Sequence, residues 1–300
     1  MALPVITRIL KLRKIKVLHL EPTDVCQAAC PLCARETDPK FNKNQKNHLT
    51  ISQILRVFPE KNIKKLEKMF MCGVYGDPAA GKHTLDIYRY FRQLNPNIVL
   101  GMNTNGALQT TFWWHGLAEI MNQPEDYCVF SIDGLEDTNH VYRKNVDWEK
   151  LIANARAFIA NGGSAHWDML VYKHNQHQVE ACEQLARDLG FKWFRAKVSK
   201  REFTEKLEYP IGWPVITKNT GAIKCYAVKE KSQYIDAQGR LHPCCWLGVG
   251  VTQENFIKDD IATVKLTWKT DNPNSICKTS CSTSQAKTNF SNQWQREVKL

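Results

Sequence analysis

Apolar residues along the chain fall into two alternating kinds of stretch. Short blocks with period-two or continuous hydrophobicity are separated by longer stretches with apolar residues at helical spacing. The run KVLHLE, residues 16–21, alternates and reads as a first strand. Thr50 begins a helix, with Gln53 placed for a capping box and Ile51, Ile54, Leu55 and Phe58 on one apolar face. A second strand over 69–74, a helix over 84–94 and a third strand over 98–102 follow. Beyond a polar turn, Asn103-Thr-Asn-Gly106, comes a helix containing Trp113 and Trp114. A fourth strand spans 127–132, and Asp147 is placed to cap a helix over 148–160 that stops at Gly162-Gly163. A fifth strand over 165–172, a helix over 178–189 closed by Gly190, and a sixth strand over 191–198 complete the series. Six strands alternating with helices predict an α/β fold, a parallel sheet with helices packed outside it. Alternation alone fits a partial barrel or an open doubly wound sheet equally well.

The pattern changes after Lys206. Pro210, Gly212 and Pro214 mark a linker, and residues 232–242 read as a β-hairpin turning at Asp236-Ala-Gln-Gly239. The expected division is therefore residues 1–205 and 206–300.

The first strand leads into Cys26, Cys30 and Cys33, spaced C-x3-C-x2-C. Three thiolates from one loop can bind three irons of a cubane cluster, leaving the fourth without a protein ligand and open to chemistry. A zinc knuckle would pair C-x2-C with a second such pair, and none lies nearby.

This loop resembles the signature of the radical S-adenosylmethionine (radical SAM) enzymes. The resemblance implies a partial (β/α)6 barrel, a [4Fe–4S] cluster at Cys26, Cys30 and Cys33, and SAM held on the open iron. It also implies reductive cleavage of SAM to a 5′-deoxyadenosyl radical that abstracts a substrate hydrogen, with an external donor such as flavodoxin or ferredoxin. Leu32 departs from the aromatic residue often found before the last cysteine. Gly73-Val-Tyr75-Gly76-Asp77-Pro78 resembles the family's glycine-rich element, whose backbone receives the SAM amino group, with Asp77 where glutamate is common. Ser131-Ile-Asp133-Gly134, with Arg143 twelve residues after the serine, is similar to the pattern that holds the SAM carboxylate in peptide-modifying members. By the same resemblance Asn103, Asn105, Val171 and Asn175 stand where ribose, methionine or adenine contacts are made. Alternation puts Ser131 and Asp133 on one face of the fourth strand, away from Cys128, Phe130 and Ile132. Asp133 is the preferred proton acceptor among rim groups that also include His19, Glu21, Tyr75, Tyr172 and His174.

Cys225, Cys244, Cys245, Cys277 and Cys281 form a second group. The hairpin can bring Cys225 near Cys244, and four thiolates fill a cubane cluster. Cys225-x13-Gly239-x4-Cys244 resembles the SPASM/twitch extension of radical SAM enzymes, and the shortened Cys277-x3-Cys281 points to the single-cluster twitch form. The expected auxiliary [4Fe–4S] ligands are Cys225, Cys244, Cys277 and Cys281; a one-residue slip would exchange Cys244 for Cys245, and a zinc site is the alternative. Cys72, Cys128 and Cys182 read as packed thiols.

Composition adds bounds. Of 300 residues, 43% are hydrophobic, enough for a real core. No apolar run is long enough to cross a membrane, and residues 1–16 are basic and apolar without a signal-peptide h-region. Eleven cysteines in a leaderless chain fit metal binding in the cytoplasm better than disulfides. The net charge of +11 is concentrated in residues 40–68 and 192–206, a solvated basic face or a polyanion site. The leading expectation is a peptide or protein substrate attacked at a side chain or α-carbon, with the auxiliary cluster assisting oxidation. A nucleotide, nucleic-acid or sugar substrate is the alternative, favoured if Arg195 and Lys197 face inward. A non-catalytic iron–sulfur or zinc scaffold that binds nucleic acid belongs to a different class.

Overall fold

The computed structural model describes residues 15–199, 204, 207–214, 221–248, 265–266, 268, 270, 273–282 and 294–300. The lead-in segment before residue 15, and Lys200, Arg201 and Lys206 of the second basic stretch, lie outside these residues.

The predicted alternation is present: β1 (Val17–Leu20), α1 (Ala34–Thr37), α2 (Ile51–Val57), α3 (Glu60–Ile63), β2 (Lys68–Cys72), α4 (Thr84–Leu94), β3 (Val99–Thr104), α5 (Thr111–Ile120), β4 (Tyr127–Ser131), α6 (Glu136–Tyr142), α7 (Trp148–Ala160), β5 (Ala165–Val171), α8 (Val179–Leu189) and β6 (Trp193–Val198). Local chemistry sets the helix ends. Thr50 and Gln53 form the reciprocal capping box on α2, Asp147 accepts the Lys150 N–H at the start of α7, and Gly190 ends α8 at φ 85°. Strand 2 stops two residues short of its predicted end, because Gly73 and the residues after it turn away to form a loop.

The strands β1 to β6 pair in sequence order, all parallel. Their outward positions, Leu18, Leu20, Met69, Met71, Leu100, Met102, Phe130, Trp167, Met169 and Phe194, are fully buried. Those side chains and the buried helix faces make the core, which includes Trp114, Tyr88, Phe91 and Phe158. Cys128 and Cys182 are packed in it as expected, whereas Cys72 is half-buried on the concave face. The inward positions mix polar and aromatic residues such as Asn103, Tyr127, Ser131 and Asp168 with aliphatic ones such as Val17, Val129 and Leu170, most of them at intermediate exposure.

The C-terminal part contributes to both ends of this sheet, which the sequence did not announce. After α9 (Tyr226–Glu230), the hairpin of β7 (Ser232–Ile235) and β8 (Leu241–His242) adds to the β1 edge, with β7 parallel to β1. The helices α10 (Cys245–Gly248) and α11 (Ser275–Cys281) follow, and β9 (Arg296–Lys299) pairs antiparallel with β6. Among the described residues the sheet order is β8-β7-β1-β2-β3-β4-β5-β6-β9, nine strands without closure. This is the partial-barrel alternative rather than a doubly wound sheet, in which strand order would reverse at a central switch point.

Candidate functional site

The ends of β1, β2, β3 and β4 gather the sequence-predicted residues on one rim. The cysteine loop after β1 is held from several sides. Ala29 N–H donates to the Lys144 carbonyl at 3.0 Å, Asp77 N–H to the Val25 carbonyl at 2.9 Å, and both Asp24 carboxylate oxygens are taken by Asn47, at 2.9 and 2.6 Å. Within it Cys30 is buried and Cys26 and Cys33 are half-buried. Donors reach two of the sulfurs: the Asn105 amide lies 3.7 Å from Cys26 Sγ, and Arg143 Nη1 lies 3.9 Å from Cys30 Sγ. Burial and the nearby Asp77 carboxylate push the Cys26 thiol up to about 12. Burial raises Cys30 too, and Arg143 works against that rise. A thiolate ligand of a cluster needs such donors because its charge is otherwise stranded in a dry pocket.

The glycine-rich loop folds back on itself against this site. A Cβ on Gly73 would meet the Gly76 carbonyl oxygen at 1.6 Å, and one on Gly76 would meet the Thr23 carbonyl oxygen at 2.0 Å. Both glycines are therefore required for backbone to pass backbone. The loop is moored by Glu21, at the end of β1 and 1% exposed. Glu21 Oε1 accepts the successive N–H groups of Val74, Tyr75 and Gly76 at 2.7, 2.6 and 3.0 Å. The Tyr234 hydroxyl of β7 donates to Oε2. Burial raises the Glu21 carboxyl to about 7 despite these donors. Tyr75 stacks on Phe41 at 4.3 Å and donates its hydroxyl to Asp38 at 2.6 Å.

Asp77 is a bracket between loops. It is buried, and its carboxylate accepts from Ala79 N–H, the Thr104 hydroxyl and both the backbone and side-chain N–H of Asn105, at 2.9, 2.8, 2.7 and 2.7 Å. Asn105 in turn accepts from the Gln27 amide at 2.7 Å, tying the end of β3 to the cysteine loop. Asn103 and Ser131 are half-buried on the concave face.

Three of the candidate residues have buried side chains. Asp133 is fully buried, and its oxygens are engaged by Arg143 Nε at 2.6 Å and Leu170 N–H at 2.5 Å. That geometry suits a group that fixes Arg143, because both carboxylate oxygens already accept hydrogen bonds within the protein. Val171 packs at 0% exposure in the outward row of β5, away from the concave face. Asn175 is buried too; its amide donates to the Asp133 and Leu170 carbonyls and its oxygen accepts Tyr172 N–H. Neither side chain is brought to the rim. Among the other rim groups, His19 lies 2.6 Å from the Cys72 carbonyl and stacks on Phe70, and burial lowers it to about 4. The signal for Glu21 was present, since an acidic residue closing a buried strand needs donors, but its partners lie 53 to 213 residues away.

A second cysteine cluster lies beyond the β1 edge. Cys225 precedes α9, Cys277 and Cys281 lie one turn apart on α11, and Lys224 N–H donates to the Cys281 carbonyl at 2.8 Å. Cys244 and Cys277 share a small apolar cluster with Ala227 and Leu247. The four thiols of Cys225, Cys244, Cys277 and Cys281 act on one another electrostatically. A hydrogen bond from the Cys281 thiol lowers the Cys225 thiol. Cys245 faces other neighbours: its sulfur is 3.2 Å from the Tyr226 hydroxyl, and its field acts on Cys72 of β2. Among the described residues no three metal-ligating side chains converge on a point one ion would fill; a cubane has no such need, because each cysteine serves a different iron.

Crystalline SuiB of Streptococcus suis bound to S-adenosylmethionine aligns at TM-score 0.57 and 17% identity, over 86% of this chain and 68% of its own. SuiB bound to precursor peptide SuiA aligns at 0.56 and 16%, over 88% and 68%. The protein anSMEcpe with bound AdoMet aligns at 0.55 and 14%, over 77% and 72%. No match is found among curated protein sequences. Among the described residues no helix is long and apolar enough to cross a membrane. The Radical SAM superfamily model matches residues 20–189, the stretch that carries the cysteine loop, the glycine-rich loop and Arg143, and the chain is thus an enzyme of the radical SAM superfamily, which uses a [4Fe–4S] cluster and SAM.

Proposed function

We propose that this enzyme abstracts a hydrogen from a side chain or α-carbon of a peptide or protein, with its catalytic cluster on Cys26, Cys30 and Cys33. The observation that carries the reading is the convergence of three elements on one rim: Arg143 against Cys30, Asn105 against Cys26, and the folded glycine-rich loop beside both. When bound, the cluster and SAM supply reductive cleavage of the sulfonium to a 5′-deoxyadenosyl radical. The residues of the chain do the rest. Gly73 and Gly76 let backbone approach the SAM amino group, Asp77 holds the loop geometry, and Asn103 and Ser131 offer polar groups from the concave face. Arg143 presents a cation to the SAM carboxylate, and Asp133 positions it.

Residues 206–300 are read as a twitch-type extension with an auxiliary [4Fe–4S] cluster on Cys225, Cys244, Cys277 and Cys281, following a barrel of residues 1–205. The small apolar cluster that Cys244 shares with Cys277, with Cys225 packed against it, supports that ligand set over one containing Cys245. Such a cluster would accept the electron left on substrate after hydrogen abstraction. A flavodoxin or ferredoxin is the reductant this scheme calls for. The peptide substrate is supported by likeness in fold to SuiB, which has been crystallised with its precursor peptide SuiA, and to anSMEcpe, crystallised with AdoMet and the Cp18Cys peptide.

The test is 5′-deoxyadenosine formation by anaerobically reconstituted protein with SAM and a strong reductant. Wild type should form it, and a Cys26/Cys30/Cys33→Ala variant should form none. Equal product from both would refute the assignment of the opening loop.

A further inference from the structure

Two of the opening cysteines meet different chemistry. Cys30 lies against a cation, with Arg143 Nη1 3.9 Å from its sulfur. Cys26 meets neutral donors instead, the backbone N–H of Ala28 and the side-chain amide of Asn105, the latter at 3.7 Å. Behind that amide stands an anion. Asp77 Oδ2 accepts from the same Asn105 Nδ2 at 2.7 Å and from the Asn105 backbone N–H at 2.7 Å. A single amide group therefore separates a buried carboxylate from a sulfur of the proposed catalytic cluster.

The amide is fixed in this orientation. Its oxygen accepts the Ala107 backbone N–H at 3.1 Å and the Gln27 amide at 2.7 Å. A flipped Asn105 would set its NH2 against a backbone donor and its oxygen against a carboxylate, and the side chain is too buried for solvent to compensate. One Nδ2 hydrogen is taken by Asp77, so the other is directed between Cys26 Sγ and Gln27 Oε1, which lies at 3.3 Å. Asp77 is fixed as well, because Ala79 N–H and the Thr104 hydroxyl donate to Oδ1 at 2.9 and 2.8 Å. Four donated hydrogen bonds, two to each oxygen, suit the ionised carboxylate.

A thiolate bound to iron accepts hydrogen bonds and has none to donate. Donors to its sulfur favour the reduced, more negative cluster and raise the reduction potential, whereas a nearby carboxylate lowers it. We infer that Asn105 and Asp77 set the reduction potential of the opening cluster as an opposed pair: Asn105 raises it by donating to Cys26, and Asp77 lowers it by its charge while holding the Asn105 amide in place. The inference rests on the assignment of that cluster to Cys26, Cys30 and Cys33. It adds a role that the assignment does not contain, since these two residues govern how strong a reductant must be to load the electron that SAM cleavage consumes.

The experiment is a redox titration of the anaerobically reconstituted protein without SAM, read from the EPR signal of the reduced cluster. The component that changes when SAM is added identifies the opening cluster. Asn105→Leu keeps the approximate shape of the side chain and removes the donor. At a poise that half-reduces the wild-type cluster, it should cut the ratio of reduced to oxidised form about tenfold, a shift of about 59 mV to more negative potential for one electron. Asp77→Asn can keep both Asn105 bonds on its amide oxygen while its NH2 donates to the Thr104 hydroxyl. With the charge gone, the ratio should rise about tenfold. Opposite signs are the signature, because a merely loosened loop would admit water in both variants and move both potentials the same way. Should Asn105→Leu fail to hold iron, Asp77→Asn alone carries the test. Unchanged potentials, or shifts of one sign, at wild-type iron content would overturn the inference and leave the cluster assignment standing. Wild type without a SAM-sensitive signal would refute the radical reading and the inference with it.

Discussion

Glu21→Ala should weaken SAM binding by about tenfold or more in protein that still assembles its opening cluster. One carboxylate oxygen takes three consecutive N–H groups of the glycine-rich loop, and the other takes the Tyr234 hydroxyl. Removing the acceptor strands three loop N–H groups, each costing about 1–3 kcal/mol if left unpaired. The loop would then rotate peptides to recover partners, and the carbonyls proposed to meet the SAM amino group would turn with them. Glu21→Gln is the conservative rescue. Its amide oxygen can take the N–H groups while its NH2 donates to Tyr234, so affinity should return to within a few-fold of wild type. SAM titration of both variants, with iron content as the control, separates positioning from loss of fold. An unchanged affinity in Glu21→Ala would remove the mooring role.

The same group has a signature in pH. Burial raises its carboxyl from 4.5 to about 7. Between those values the native protein holds a proton that the unfolded chain has released. Its contribution to stability is therefore complete below 4.5 and fades as pH rises through 7. Unfolding temperature should fall more steeply from pH 5 to pH 8 in wild type than in Glu21→Gln, where nothing titrates.

Much of the barrel was legible because each signal was local. Thr50 with Gln53, Asp147 before α7 and Gly190 after α8 act on residues within a turn of themselves. The cysteine loop was legible for the same reason, since three ligands within eight residues need no distant partner. What could not be read were contacts with long sequence separation. The pairing of β7 with β1 and of β9 with β6 makes the C-terminal segment part of the barrel's sheet, and no local pattern in those short strands names a partner. Asp133 shows the same limit at the site. Alternation placed it on the face of Ser131, but the chain leaves the strand after Ser131, and Arg143 and Leu170 draw the carboxylate inward. The inward placement of Arg195 and Lys197 on β6 was open in the sequence and is fixed by the strand's burial pattern. Their convergence on Trp294, about a hundred residues later, was not legible.

Cys244→Ala and Cys245→Ala should differ sharply, although the residues are adjacent. Two cubane clusters correspond to about eight irons per chain and one to about four. Reconstituted wild type should approach the first value and Cys244→Ala the second, because Cys244 is buried with Cys277 in the small apolar cluster against which Cys225 packs. Cys245→Ala should keep nearly all its iron, because its sulfur meets Tyr226 and lies on the side of β2. Loss of the auxiliary cluster should leave SAM cleavage while turning over substrate poorly, since the electron remaining after hydrogen abstraction would have no acceptor. Cys245→Ala should support both steps. If iron is lost from Cys245→Ala and retained in Cys244→Ala, the ligand is the second cysteine, and the hairpin register that orients the pair must slip by one residue on cluster assembly.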